Sequence, residues 1–211
     1  NYLVRICCWP GYGLMPLGTH KATLFGVAGV STGADVVLLS TTTASGADEV
    51  DITSGIDSTY TEYIFKFYNL NPGTDGSIFS FQANAAGASG FNETITSTAF
   101  IAYHKEDGSV AALGYSDGDD QGQGTAFQNI TALIGSGADE NSVGELHLFN
   151  PSSTTYVKHF YSTAQVYQFG NFLQQNYTAG YINTTTAIDE ISFKMHQGNF
   201  DGTIKMWGVK N

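Results

Sequence analysis

From Ala34 onward the chain runs as short apolar stretches, each closed by a cluster of turn-forming residues. Where the pattern is clean, it repeats every two residues. In YTEYIFKFYNL (60–70), Tyr63, Phe65 and Phe67 point one way, and Glu62, Lys66 and Tyr68 the other. In IDEISFKMH (188–196), Ile191, Phe193 and Met195 oppose Ser192, Lys194 and His196. A period of two with polar outer faces describes antiparallel sheets half exposed to solvent. Strands are expected at 35–42, 48–54, 60–70, 77–84, 95–104, 109–115, 126–133, 144–150, 155–163, 178–184, 188–196 and 202–209. Turn clusters such as NPGTDG (71–76), KEDG (105–108), SDGDDQGQG (116–124) and GSGADEN (135–141) separate them. No window of a dozen residues has helical periodicity. YQFGNFLQQN (167–176) comes nearest, and Gly170 interrupts it.

Many short strands without helices predict an all-β fold: an antiparallel β-sandwich, jelly-roll-like, with an irregular N-terminal arm. The arm is expected over residues 1–25, with a single sandwich domain over 26–211. The arm holds both cysteines, one of two tryptophans and two of four prolines. Its opening is a poor match to a signal peptide and reads as a processed or incomplete start. Adjacent Cys7 and Cys8 cannot staple distant parts of a chain, so no disulfide framework is expected. The triplet Gly-Ala-Asp recurs at unequal spacings (33–35, 46–48 and 137–139) and marks reused turns, not solenoid repeats.

Composition narrows the partners. Only 13% of residues are charged, about half the usual fraction, and 8 Lys plus Arg stand against 19 Asp plus Glu, a formal charge of −11. Phosphate binding needs clustered Lys and Arg, so neither nucleic acid nor an anionic membrane is an expected partner. No stretch has the roughly 18 apolar residues of a membrane-spanning helix.

Several motifs carry candidate chemistry. The hairpin GELHLFNPSSTTYVKHFYS (144–162) bears His147 and His159, which would face each other if its turn centred on Ser153. A metal held there would need a further ligand, and no spacing supplies one. Two serine-hydrolase-like pentapeptides occur, GVSTG (29–33) and GYSDG (114–118). That motif works on a turn from a strand into a helix, and neither match is followed by one. Glu62, Glu145 and Glu190 are strand carboxylates of the type a glycosidase pairs, but nothing in the sequence pairs them. Asp117, Asp119 and Asp120 crowd one loop, which makes calcium the one cofactor the sequence suggests, although the spacing is not that of an EF-hand. Asn92, Asn129, Asn176 and Asn183 begin Asn-x-Thr triplets, which would accept glycans only in a eukaryotic secretory setting. Aromatics on polar faces or in loops (Tyr68, Tyr115, Tyr167, Tyr177, Tyr181 and Trp207) suit a protein interface first, core packing second and sugar stacking third.

Three long blocks carry a resemblance. VDITSGIDSTYTEYIFKFYNLNPGTD (50–75), the hairpin block and AIDEISFKMHQGNFDGTIKMWGVKN (187–211) together resemble virion structural proteins of marine tailed phages, cyanophages among them. The resemblance covers about residues 34–211. It implies a non-enzymatic, surface-exposed β-domain of a tail fibre, tail appendage or head decoration. Such a domain would sit on the virion surface as a homo-oligomer, with copies of itself and capsid or tail proteins as partners. No catalytic residues carry over. The chain departs from the family pattern at Trp207, where a Tyr-type aromatic is usual, and in the arm. An alternative expectation is a carbohydrate-binding β-sandwich module that recognises a host-surface glycan.

Overall fold

A computed structural model describes residues 35–210. The expected arm, Cys7, Cys8 and GVSTG lie outside the described residues. These contain thirteen strands and no helix: β1 (Val36–Ala47), β2 (Glu49–Ile52), β3 (Glu62–Pro72), β4 (Phe79–Ala85), β5 (Ile95–Lys105), β6 (Ala111–Tyr115) and β7 (Gly122–Gly124). They continue with β8 (Gln128–Asn129), β9 (Ser142–Phe149), β10 (Lys158–Gln168), β11 (Phe172–Ile182), β12 (Ile188–Met195) and β13 (Phe200–Val209).

Two wholly antiparallel sheets pack face to face as a β-sandwich. The large one has nine strands in the order β1-β13-β3-β9-β10-β11-β5-β6, with β7 also on β5. The small one runs β2-β12-β4-β8. The strands thus divide nine and four, unlike the even split of an eight-stranded jelly roll. The chain passes repeatedly from one sheet to the other, and β1–β2 and β12–β13 are two such crossings that lie side by side. In consequence the β12–β13 pair is inserted as a unit, β13 between β1 and β3 in one sheet and β12 between β2 and β4 in the other.

The predicted alternation sets what faces inward. Tyr63, Phe65 and Phe67 of β3 are buried, as are Phe79 and Phe81 of β4, Phe160 of β10, Phe193 of β12 and Phe200 at the start of β13. Their rings interlock: Phe193 lies 5.4 Å from Phe65, 5.3 Å from Phe67 and, stacked, 5.8 Å from Phe79. Each buried Phe contributes about 1.5–3 kcal/mol of burial, and edge-to-face contacts add to that. Where the backbones crowd, glycine stands. A Cβ on Gly180 would come within 2.5 Å of the Thr96 carbonyl and 2.8 Å of the Phe160 ring.

The two outer faces differ. On the small sheet the loops fold back as a cover. Gln82 donates to the carbonyls of Glu93, Thr125 and Ala126, and the Lys194 ammonium sits 3.7 Å from the centre of the Phe127 ring. No described segment covers the large sheet in this way.

Candidate functional site: the outer face of the large sheet

Residues paired across antiparallel strands project from the same face, so register alone maps this surface. Tyr177 pairs with Phe100 on one side and Thr163 on the other, and Phe100 pairs with Tyr115. Thr163 leads to Glu145, Glu145 to Lys66 and Lys66 to Lys205. Trp207 lies two residues beyond Lys205, Tyr68 two beyond Lys66 and Tyr181 four beyond Tyr177. Trp207, Tyr68, Tyr115, Tyr177 and Tyr181 therefore share one face, opposite buried Leu146, Phe160, Ile204 and Met206.

Each of the five has its own setting. The Lys205 ammonium lies 5.3 Å from the Tyr68 ring centre, and Tyr181 meets His159 edge-on at 6.0 Å. Trp207 is half-buried, and its indole N–H has no hydrogen-bond partner among the described residues. Tyr177 stacks on Phe100 at 4.6 Å with 14° between planes. Tyr115 is 60% exposed, and its hydroxyl donates to Asp120. That hydrogen bond, with the Asp120 and Asp117 charges nearby, holds the phenol above its usual pKa.

Three residues that complete this surface do not stand out in the sequence. Tyr161 and Phe100 are both exposed, and Leu113 is 73% exposed. Between Tyr161 and the Phe100–Tyr177 stack runs an apolar groove of about 280 Å³ floored by Ala179, Thr98 and Thr163. A usable signal was present: in HFYST, Phe160 and Ser162 turn inward, which obliges His159, Tyr161 and Thr163 to turn out.

The two hairpin histidines do not face each other. His147 pairs with Tyr161, and His159 with Tyr181 of β11. The connection is an eight-residue loop, 150–157, and its register centres on position 154, not Ser153. Asn150 leaves β9 with φ 45°, and the Ser153 N–H donates to its carbonyl. His147 is nonetheless the centre of a polar cluster. Its ring stacks on Tyr161 at 4.4 Å, and its Nδ1 lies 2.5 Å from Glu62 Oε1. Its Nε2 is 3.4 Å from Glu145 Oε1, within ion-pair reach but without a hydrogen bond, while Glu145 pairs with Lys66 at 3.3 Å. Two of the candidate carboxylates thus converge, but on opposite sides of one imidazole and not across an open substrate site. Glu190 is elsewhere, on β12, accepting from Asn84 at 2.8 Å.

The three aspartates of the calcium candidate lie in different settings. Asp119 accepts from Ser116 Oγ at 2.6 Å and from Asn129 Nδ2 at 2.9 Å, Asp120 takes the Tyr115 hydroxyl, and Asp117 faces solvent. Neighbouring donors hold two of the three carboxylates apart. Among the described residues, no three His, Cys, Asp or Glu side chains converge in a way that would hold a metal ion. In GYSDG the serine follows β6 and enters a turn, with no helix to stabilise an oxyanion. Asn129 and Asn176 are buried, which removes them as glycan acceptors, whereas Asn92 and Asn183 are exposed. No family model, curated protein or solved structure matches the chain.

Proposed function

We propose that this chain is a non-enzymatic surface β-domain of a tailed-phage particle, which associates with its own copies through the outer face of the nine-stranded sheet. The observation that carries the reading is the contrast between the two sheets. One has its outer face covered by the chain's own loops. The other, among the described residues, presents Tyr161, Phe100, Tyr177, Tyr115 and Leu113 together, with Glu145, Lys66 and Lys205 to one side on β9, β3 and β13. Contiguous apolar surface of this kind marks interaction sites. Aromatic enrichment with charge depletion is the composition of an interface centre. The phage assignment rests on the three sequence blocks, and the aromatic face agrees with a protein that works by packing.

Light scattering coupled to size exclusion tests it. The wild-type chain is expected as a discrete multimer. Leu113→Lys combined with Tyr177→Lys, both on exposed positions, is expected to give monomer with unchanged circular dichroism. A wild-type chain that stays monomeric at high concentration would overturn the proposal.

A further inference from the structure

A second concave site lies at the end of the same face. The β9–β10 loop and the turn after β11 border an open cleft of about 780 Å³, within the roughly 300–1,000 Å³ range of small-ligand sites. Its walls have a distinctive mixture. Phe149, Tyr156 and His159 supply flat rings, and Asn150, Ser152 and Thr185 supply amide and hydroxyl groups. Tyr156 is 73% exposed, so its ring face is open to the cleft's occupant. No Lys, Arg, Asp or Glu lines the cleft.

The two walls are fixed to each other and to the sandwich. The Asn150 N–H donates to the Thr61 carbonyl at 2.7 Å, and the Ile188 N–H to the Pro151 carbonyl at 2.9 Å. Ser153 Oγ accepts from the N–H groups of Thr155 and Tyr156, which shapes the tip. Beneath them, the fully buried Lys158 side chain donates to the Tyr156 carbonyl on one wall and the Thr184 carbonyl on the other, each at 3.0 Å. A loop held at this many points loses little entropy when it binds, the condition under which a shallow site gains affinity.

From these features we infer that the cleft between the 150–157 loop and Thr185 is a binding site for a neutral saccharide. The apolar faces of a sugar ring stack on aromatic side chains, and its hydroxyls exchange hydrogen bonds with amides and hydroxyls. An anionic ligand is disfavoured, since it would meet no cation in the lining and a chain of charge −11. The cleft adjoins the face proposed for self-association, where His159 meets Tyr181, but it shares no lining residue with the groove between Tyr161 and the Phe100–Tyr177 stack, so the two are tested separately.

The test is two-dimensional amide NMR with saturation transfer, titrating glucose, galactose, mannose, N-acetylglucosamine and lactose, with glucuronic acid as the charged comparator. At least one neutral sugar is expected to shift amides within 149–159 and 184–186 and to receive saturation from the protein. Tyr156→Ala and His159→Ala alter exposed side chains and should weaken that binding by at least about fivefold. Val110→Ala, in an exposed loop outside both surfaces, should leave it unchanged. The inference is overturned if no neutral sugar produces shifts, if the shifts fall outside the cleft, if both alanine variants bind like the parent, or if glucuronic acid binds best. Light scattering on the same variants reports separately on self-association, which Tyr156→Ala should not alter.

Discussion

Single side chains in this sandwich often do two jobs, and Tyr63 is the clearest case. Its ring is fully buried in the core, and its hydroxyl receives the Asp57 N–H at 2.8 Å while donating to the Asp57 carbonyl at 3.0 Å. Tyr63→Phe keeps the ring and strands both backbone groups, so a loss of about 1–3 kcal/mol is expected in urea unfolding. Burial also raises the Tyr63 phenol above its usual value near 10. The unfolded chain therefore ionises this group first. Its stabilising contribution is complete below pH 10 and is lost as pH climbs through the raised value. The alkaline limb of the stability curve should be shallower in Tyr63→Phe than in the parent, and equal slopes would contradict this account. Lys158 shows the opposite tendency: desolvation lowers its pKa, and the Glu93 charge partly restores it. The inward turn of the Tyr63 ring follows from the alternation in 60–70, whereas the burial of Lys158 does not show in the sequence. A lone Lys at a strand start normally reaches solvent, and only the fold brings the Thr184 carbonyl within its reach.

At the scale of elements, much of the sheet was legible. Alternation in 60–70 and 188–196 identified β3 and β12 together with their inward faces, because one face of each is apolar and buried. The same rule gave no strand over 164–177, where β10 and β11 form one long hairpin. The reason is that the inner layer there is polar. Gln174, Asn176 and Thr178 are buried at 5%, 2% and 3% exposure, while Leu173 and Tyr177 face out. Hydrogen bonds within the layer, such as Gln174 to Asn176 at 3.3 Å and Gln168 to Gln174 at 3.1 Å, take the place of apolar contact. The aromatic candidates stand out one by one in the sequence, but their gathering on one face depends on register, which a single sequence does not fix. Register also explains where glycine is required. Gly180→Ala should cost about 1–3 kcal/mol, because its Cβ meets backbone and a core ring with no room to yield. Gly114→Ala, with open space around it, should stay within about 0.5 kcal/mol. Equal urea midpoints for the two variants would show that the Thr96–Gly180–Phe160 contact is not tight.

For the whole molecule, the unlike outer faces make a statement about solution behaviour. If copies meet through the aromatic surface, association is hydrophobic in origin and should survive added salt. Between about 0.1 M and about 1 M salt the Debye length shrinks from about 10 Å to about 3 Å, weakening ionic contacts only. The mass from light scattering should hold or rise over that range, and dissociation would point instead to Lys–Glu contacts between copies. The inserted position of β12 and β13 has a consequence in time. β1 and β3, and likewise β2 and β4, are linked only when the last described pair of strands slides between them, joining residues such as Val36 and Val209 from opposite ends of the described chain. Contacts this distant in sequence must wait for loop closure, which places folding toward the slow, millisecond-to-second end of the range for β proteins. A chain emerging from the ribosome would hold β1 to β4 apart, their edges open, until residues 188–209 arrive to close both sheets in one step.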